Sequence, residues 1–152
     1  MAGIVNLVGS DTIVINNHVI VDIPDADIGV LTFPNEVWAA KKGKNGNTIF
    51  AYNVEGELVD FVLRVLRGSD DDKFLNSLQV ADRQNPALSL LVAGSLTQQE
   101  GDGNGNATNI NYALLAGKIS KGIEGKTNVS GDTEQAVATY HFKFAEVQRQ
   151  IV

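Results

Sequence analysis

Residues 58–78 read LVDFVLRVLRGSDDDKFLNSL, an apolar run that stops at three consecutive aspartates and resumes with a different period. Before the break, Val59, Phe61, Leu63 and Val65 recur every second residue, the repeat of a β-strand. After it, Phe74, Leu75, Leu78 and Ala81 recur at helical spacing. The acids between them could be a metal site, a pair of catalytic carboxylates or the start of a helix. Ser69 stands where an N-cap side chain accepts bonds from the free amides of a first turn. Asp70, Asp71 and Asp72 then meet the positive end of the helix dipole. Asp72 lies three residues past Ser69, the position from which a carboxylate can return a bond to the cap. No candidate base or nucleophile lies nearby in sequence, so the cluster reads as a helix cap.

The strand before the cap is less ordinary. Leu58, Val62 and Leu66 occupy its second face, interrupted by Asp60 and Arg64. A strand with one solvated side shows a cleaner polar face. Cover on both sides is expected, from the helix of this chain or from another subunit.

Working outward, Thr12–Ile15 and His18–Ile23 flank Asn16-Asn17, a hairpin signal because Asn tolerates positive φ. Short strands are expected over 28–33 and 36–41. Gly43-Lys44-Asn45-Gly46-Asn47 is then a turn that projects. The segments 48–54 and 57–67 should form a hairpin about Glu55-Gly56. Beyond the helix, strands are expected over 87–97 and 110–120, with a loop over 100–108. A polar stretch over 121–133 leads to a long strand over 134–149. In that last strand Ala136, Ala138, Tyr140, Phe142 and Phe144 share one face, while Thr139, His141 and Lys143 share the other. The expected fold is mainly β, an antiparallel sandwich or half-barrel with one helix, in a single domain over 1–152.

Bulk properties agree. Apolar residues make up 43% and charged residues 20%, a balance that argues against disorder. The net charge of −6 opposes a tight electrostatic grip on DNA. With no cysteine, disulfides and thiol catalysis are excluded. The start of the sequence has no basic leader, and no apolar run approaches the roughly 20 residues that span a bilayer. Synthesis in a reducing cytoplasm without membrane attachment is expected.

Several motifs imitate ligand sites. Asp102, Asn104 and Asn106 match the first ligands of a calcium loop, but Ala107 replaces its glycine and Ala113 its final glutamate. The same glycines imitate a dinucleotide fingerprint, without the helix that would hold a phosphate. Gly125-Lys126-Thr127 resembles the end of a P-loop whose first glycine would be Ser120. His18 and His141 lack a metal-ligand companion at helical spacing. Trp38 and the three tyrosines are too dispersed in sequence for a base-stacking platform. No cofactor, no metal and no enzymatic reaction are expected.

Several stretches, in order, resemble the tail tube proteins of contractile-tailed bacteriophages. They are residues 9–15, 27–35, 43–47 and 67–76, followed by 131–138 and the strand from Tyr140 to Phe144. That family is in turn similar to the tubes of R-type pyocins and type VI secretion. The resemblance implies hexameric rings whose subunits join sheets into one barrel around a lumen, and rings that stack into a tube. It also implies a surrounding sheath, a tape-measure protein inside, and baseplate and tail terminator proteins at the ends. DNA would pass through without specific binding, in a virion tail assembled in the bacterial cytoplasm. Residues 43–47 and the N-terminal residues are the candidates for contacts between rings. Two other readings stand beside it: a pyocin or secretion tube, and a monomeric β-sandwich that binds a sugar or peptide through its Gly/Asn loops.

Overall fold

The structure, a computed structural model, describes residues 5–7, 11–24, 28–125 and 136–152. The elements are β1 (Asn6–Leu7), β2 (Thr12–Ile15), β3 (His18–Ile20), β4 (Gly29–Thr32), β5 (Trp38–Lys42), β6 (Thr48–Tyr52), β7 (Val59–Leu66), α1 (Asp70–Gln84), β8 (Val92–Gly101), β9 (Ala107–Ile119) and β10 (Val137–Ile151). One antiparallel sheet runs β3-β2-β8-β9-β10-β7-β4, with β1 also paired to β8. β5 and β6 form a separate two-stranded sheet.

The large sheet curls into a half-barrel. Its inner face is the alternating set legible in β7 and β10: Val59, Phe61, Leu63 and Val65 meet Ala138, Tyr140, Phe142 and Phe144, all buried. Each fully buried aromatic here removes enough apolar surface from water to contribute about 2–3 kcal/mol. Phe142 and Phe144 stack 5.9 Å apart, and Phe61 leans on both. Helix α1 packs onto this face through buried Leu75, with Phe74 and Leu78 beside it. Asn16 and Asn17 make the expected turn with φ of 48° and 66°.

A kink in β9 shapes the core. Ala116 has φ of 55°, and the register with β8 shifts between Val92 and Gly94. This bulge turns both Leu114 and Gly117 inward. A Cβ on Gly117 would sit 2.3 Å from Phe144 Cδ1, so the ring occupies the space a side chain would need.

Several expectations are corrected. Glu55-Gly56 is not a hairpin turn: Val54–Glu57 is a 3-10 turn, β6 pairs with β5, and β7 pairs with β4 and β10. The cause is local. Asn53 Oδ1 accepts the Glu55 amide, and Gly56 is pressed so close to Val37 that a Cβ would lie 2.7 Å from its Cα. The strand expected from 87 starts at Val92, after a 3-10 turn over Pro86–Leu88. Proline favours the first position of such a turn. β8 and β9 run to Gly101 and from Ala107, which shortens the loop to 102–106. Ala136 and Ala81 are exposed, not inner-face residues. Residues 126–135, holding most of the P-loop-like stretch and the expected start of the last strand, lie outside the described residues. So do most of the N-terminal residues.

Candidate assembly interface

The Ser69 cap forms as read. Its Oγ accepts the Asp72 amide at 3.2 Å, and Asp72 Oδ2 accepts the Gly68 amide at 2.8 Å, one residue before the cap. Tyr140 adds a link from β10, donating its hydroxyl to Asp72. Burial, then the Asp72 carboxylate, push the Tyr140 phenol far above its ordinary value, so it stays a donor.

Asp71 does not share that local role. It is 1% exposed and accepts the amides of Val21 and Asp22 at 2.7 Å each, while His18 Nε2 lies 2.6 Å away. His18 also stacks on Phe74 with centroids 4.3 Å apart. Burial raises the Asp71 pKa, but the Asp22 amide, His18 and the Val21 amide outweigh it and hold the carboxyl below its ordinary value. The middle aspartate is thus a bridge between the helix start and the chain leaving β3.

Asp102 spends its carboxylate on its own loop. It accepts the amides of Asn104 and Asn106 and the Asn106 side chain, a self-closed turn in which the Asn104 amide and the Asn106 side chain lower its pKa. No group of three or more potential metal-ligating side chains occurs among the described residues. His18 pairs with Asp71 and His141 with Glu124 at 3.1 Å. A cleft of about 260 Å³ is lined by Thr32, Asp60, Ser120, Lys121, His141 and Lys143. Asp60 Oδ1 is buried, with Lys143 Nζ 3.9 Å away. Among the described residues, no helix is long and apolar enough to cross a membrane.

What the fold leaves open lies at its margins. β3 and β4 end the large sheet, and among the described residues no strand pairs with their outer edges. Val19 and Val30 on them are exposed. On β7 the helix covers only the inner face. Leu66, on the other face, is exposed, while Leu58 and Val62 are half-buried.

The β5–β6 ribbon is open on both sides: all ten of its strand residues are exposed. Register places Trp38 opposite Tyr52 and Ala40 opposite Phe50 on one face, with Ala39, Ala51 and Ile49 on the other. Trp38 and Tyr52 meet edge to face at 5.1 Å, and Trp38 and Phe50 flank a shallow apolar pocket of about 370 Å³. The ribbon's base is firm, because Asn53 donates to the Val37 carbonyl at 2.7 Å and Asn35 to that of Glu55 at 3.3 Å. At its tip, Gly43, Lys44, Asn45, Gly46 and Asn47 form an exposed turn closed by the Gly43 amide on the Asn47 carbonyl. Gly46 there has φ of 82°, which favours glycine. Sequence reasoning found the tip and missed the aromatic face beside it. Counting residues outward from the turn would have paired Trp38 with Tyr52.

No family model and no curated protein matches this chain. Among solved structures, a chain of the extended sheath–tube complex of an extracellular contractile injection system, PVC, is similar with a TM-score of 0.59 and 10% identity, covering 93% of this chain and 88% of that one. A chain of the anti-feeding prophage cap, which terminates the AFP tube, is similar with a TM-score of 0.56 and 10% identity, covering 92% and 88%. The likeness is one of fold, and both of those chains come from contractile or tube-bearing assemblies, the kind of protein to which the sequence resemblance pointed.

Proposed function

We propose that this chain is a structural subunit that completes its fold only in a polymer of itself. Copies join edge to edge, β3 and β4 each taking a strand from a neighbour, into a hexameric ring with a continuous barrel around a lumen. Rings stack through the β5–β6 ribbon into the inner tube of a contractile phage tail, which conducts DNA during ejection. The sheath surrounds that tube, the tape-measure protein fills it, and baseplate and terminator proteins cap it in the virion tail. On this reading the chain catalyses no reaction.

The observation that carries the proposal is the ribbon. A two-stranded hairpin is marginal in water by itself, and this one exposes Trp38, Phe50 and Tyr52 together on one face and Ile49 on the other. Such a patch marks an interaction site. Open sheet edges add to the case, since an uncovered edge is a template for pairing with another chain. A ring that closes while stacking openly along its axis uses heterologous contacts of this kind.

The similarity to the PVC and AFP chains favours a second reading, a tube of an injection system or pyocin whose cargo is not DNA. Capsid and terminase genes beside the coding sequence support the phage tube; an isolated tail cassette supports the other. A monomeric sugar- or peptide-binding sandwich is the remaining alternative. Sedimentation and negative-stain microscopy of the purified chain decide against it if rings or hollow rods appear. Featureless monomers at high concentration defeat the tube. The double variant Trp38→Ser/Phe50→Ser should keep its circular dichroism spectrum and lose rods.

A further inference from the structure

The ribbon carries a second feature besides its aromatic face. Residues 38–52 hold Lys41, Lys42 and Lys44 and no acidic residue, so the rest of the chain is more acidic still than its net −6. All three lysines are exposed at or beside the turn, and Lys42 closes the ribbon opposite Thr48. No ion pair within the chain involves any of them among the described residues.

We propose that this tip is an electrostatic key for a second copy of the chain: the aromatic face supplies the adhesive contact, and the three lysines seat the ribbon on the acidic body of the next copy. The inference rests on the self-assembly reading and adds what selects the docking surface. The second copy is favoured by charge complementarity, because a basic projection on an acidic body attracts its own kind and each body repels another approached without it. The exposed acids Asp70 and Glu146 belong to that body. Contacts of this sort on an exposed rim govern association rate and salt response more than total affinity. The tip's two glycines and two asparagines leave the lysines free of bulky neighbours. A basic tip can also meet a nucleic acid, and the test separates that occupant.

The experiment uses the full chain. Sedimentation velocity and negative staining follow assembly as sodium chloride rises from about 0.05 M to about 1 M, where screening shrinks to roughly 3 Å. The same measurements are made on Lys41→Glu/Lys42→Glu/Lys44→Glu and on the corresponding triple glutamine variant. Rods of the parent should shorten with salt while rings persist. The glutamine variant should need about tenfold more protein to form rods, the effect of losing three exposed ion pairs. The glutamate variant should form rings and no rods, with unchanged circular dichroism. Rods indifferent to salt, or glutamate variants that stack like the parent, overturn the proposal and leave the tube reading intact. A parent that forms no assembly at any salt defeats both. Tight binding of a fluorescein-labelled oligonucleotide, lost in the glutamate variant while stacking is unaffected, assigns the tip to a polyanion and also overturns the proposal.

Discussion

Asp71, in the first turn of α1, accepts a hydrogen bond at 2.6 Å from His18, fifty-three residues earlier on the edge strand β3. The same carboxylate takes the amides of Val21 and Asp22, so one buried side chain fixes where the helix sits on the sheet and where the chain leaves its edge. The open edge of the sheet at β3 is therefore held in place from beneath.

Asp71→Ala should cost about 3–5 kcal/mol, because it strands two amides and an imidazole that were bonded to a buried acceptor. Asp71→Asn keeps one oxygen acceptor and should cost less. Urea unfolding followed by circular dichroism measures both. Equal stability of the parent and the alanine variant would refute the bridge.

Stability should fall in acid, with a sign set by Asp71. Its folded pKa lies below the ordinary 3.8, so the native state keeps the carboxylate charged where the unfolded chain protonates. Its contribution is complete above 3.8 and is lost as the pH drops through the lower folded value. Urea midpoints measured downward from pH 5 should decline more steeply in the parent than in Asp71→Asn. Parallel curves would remove Asp71 from the account.

Phe142→Ala and Phe144→Ala should each remove about 3–5 kcal/mol, since both rings are buried and lean on Phe61. The double variant should not fold or assemble. Denaturant titration of the single variants gives the values, and native-like stability of either would overturn the assignment of the inner face.

Gly117→Ala should destabilise by about 1–3 kcal/mol through overpacking. Its new methyl group would lie 2.3 Å from Cδ1 and 2.4 Å from Cε1 of Phe144, a buried ring that stacks on Phe142. Thermal unfolding of Gly117→Ala against Gly117→Ala/Phe144→Leu checks this, the second substitution being expected to recover part of the loss.

The strands and the helix were legible wherever one local rule governed them. Alternation in Val59–Val65 and Ala138–Phe144 announced a sheet face, because side chains of a strand point to opposite sides by turns. Ser69 and Asp72 announced the helix start, because a cap is made by groups three residues apart. Asn16-Asn17 and Gly43–Asn47 announced turns through residues that tolerate positive φ. None of these needed a distant partner. The three aspartates looked alike for the same reason, and only the arrival of Val21 and Asp22 beneath the helix separated Asp71 from its neighbours. Glu55-Gly56 looked like any hairpin turn until Val37 packed against it. The aromatic face of the ribbon appeared once register brought Trp38 and Tyr52 together, and its lack of cover could be seen only with the whole sheet in place. Periodicity and capping act over a few residues and can be read along the chain. Burial and partnership depend on which remote segments come near, and the folded arrangement alone decides that.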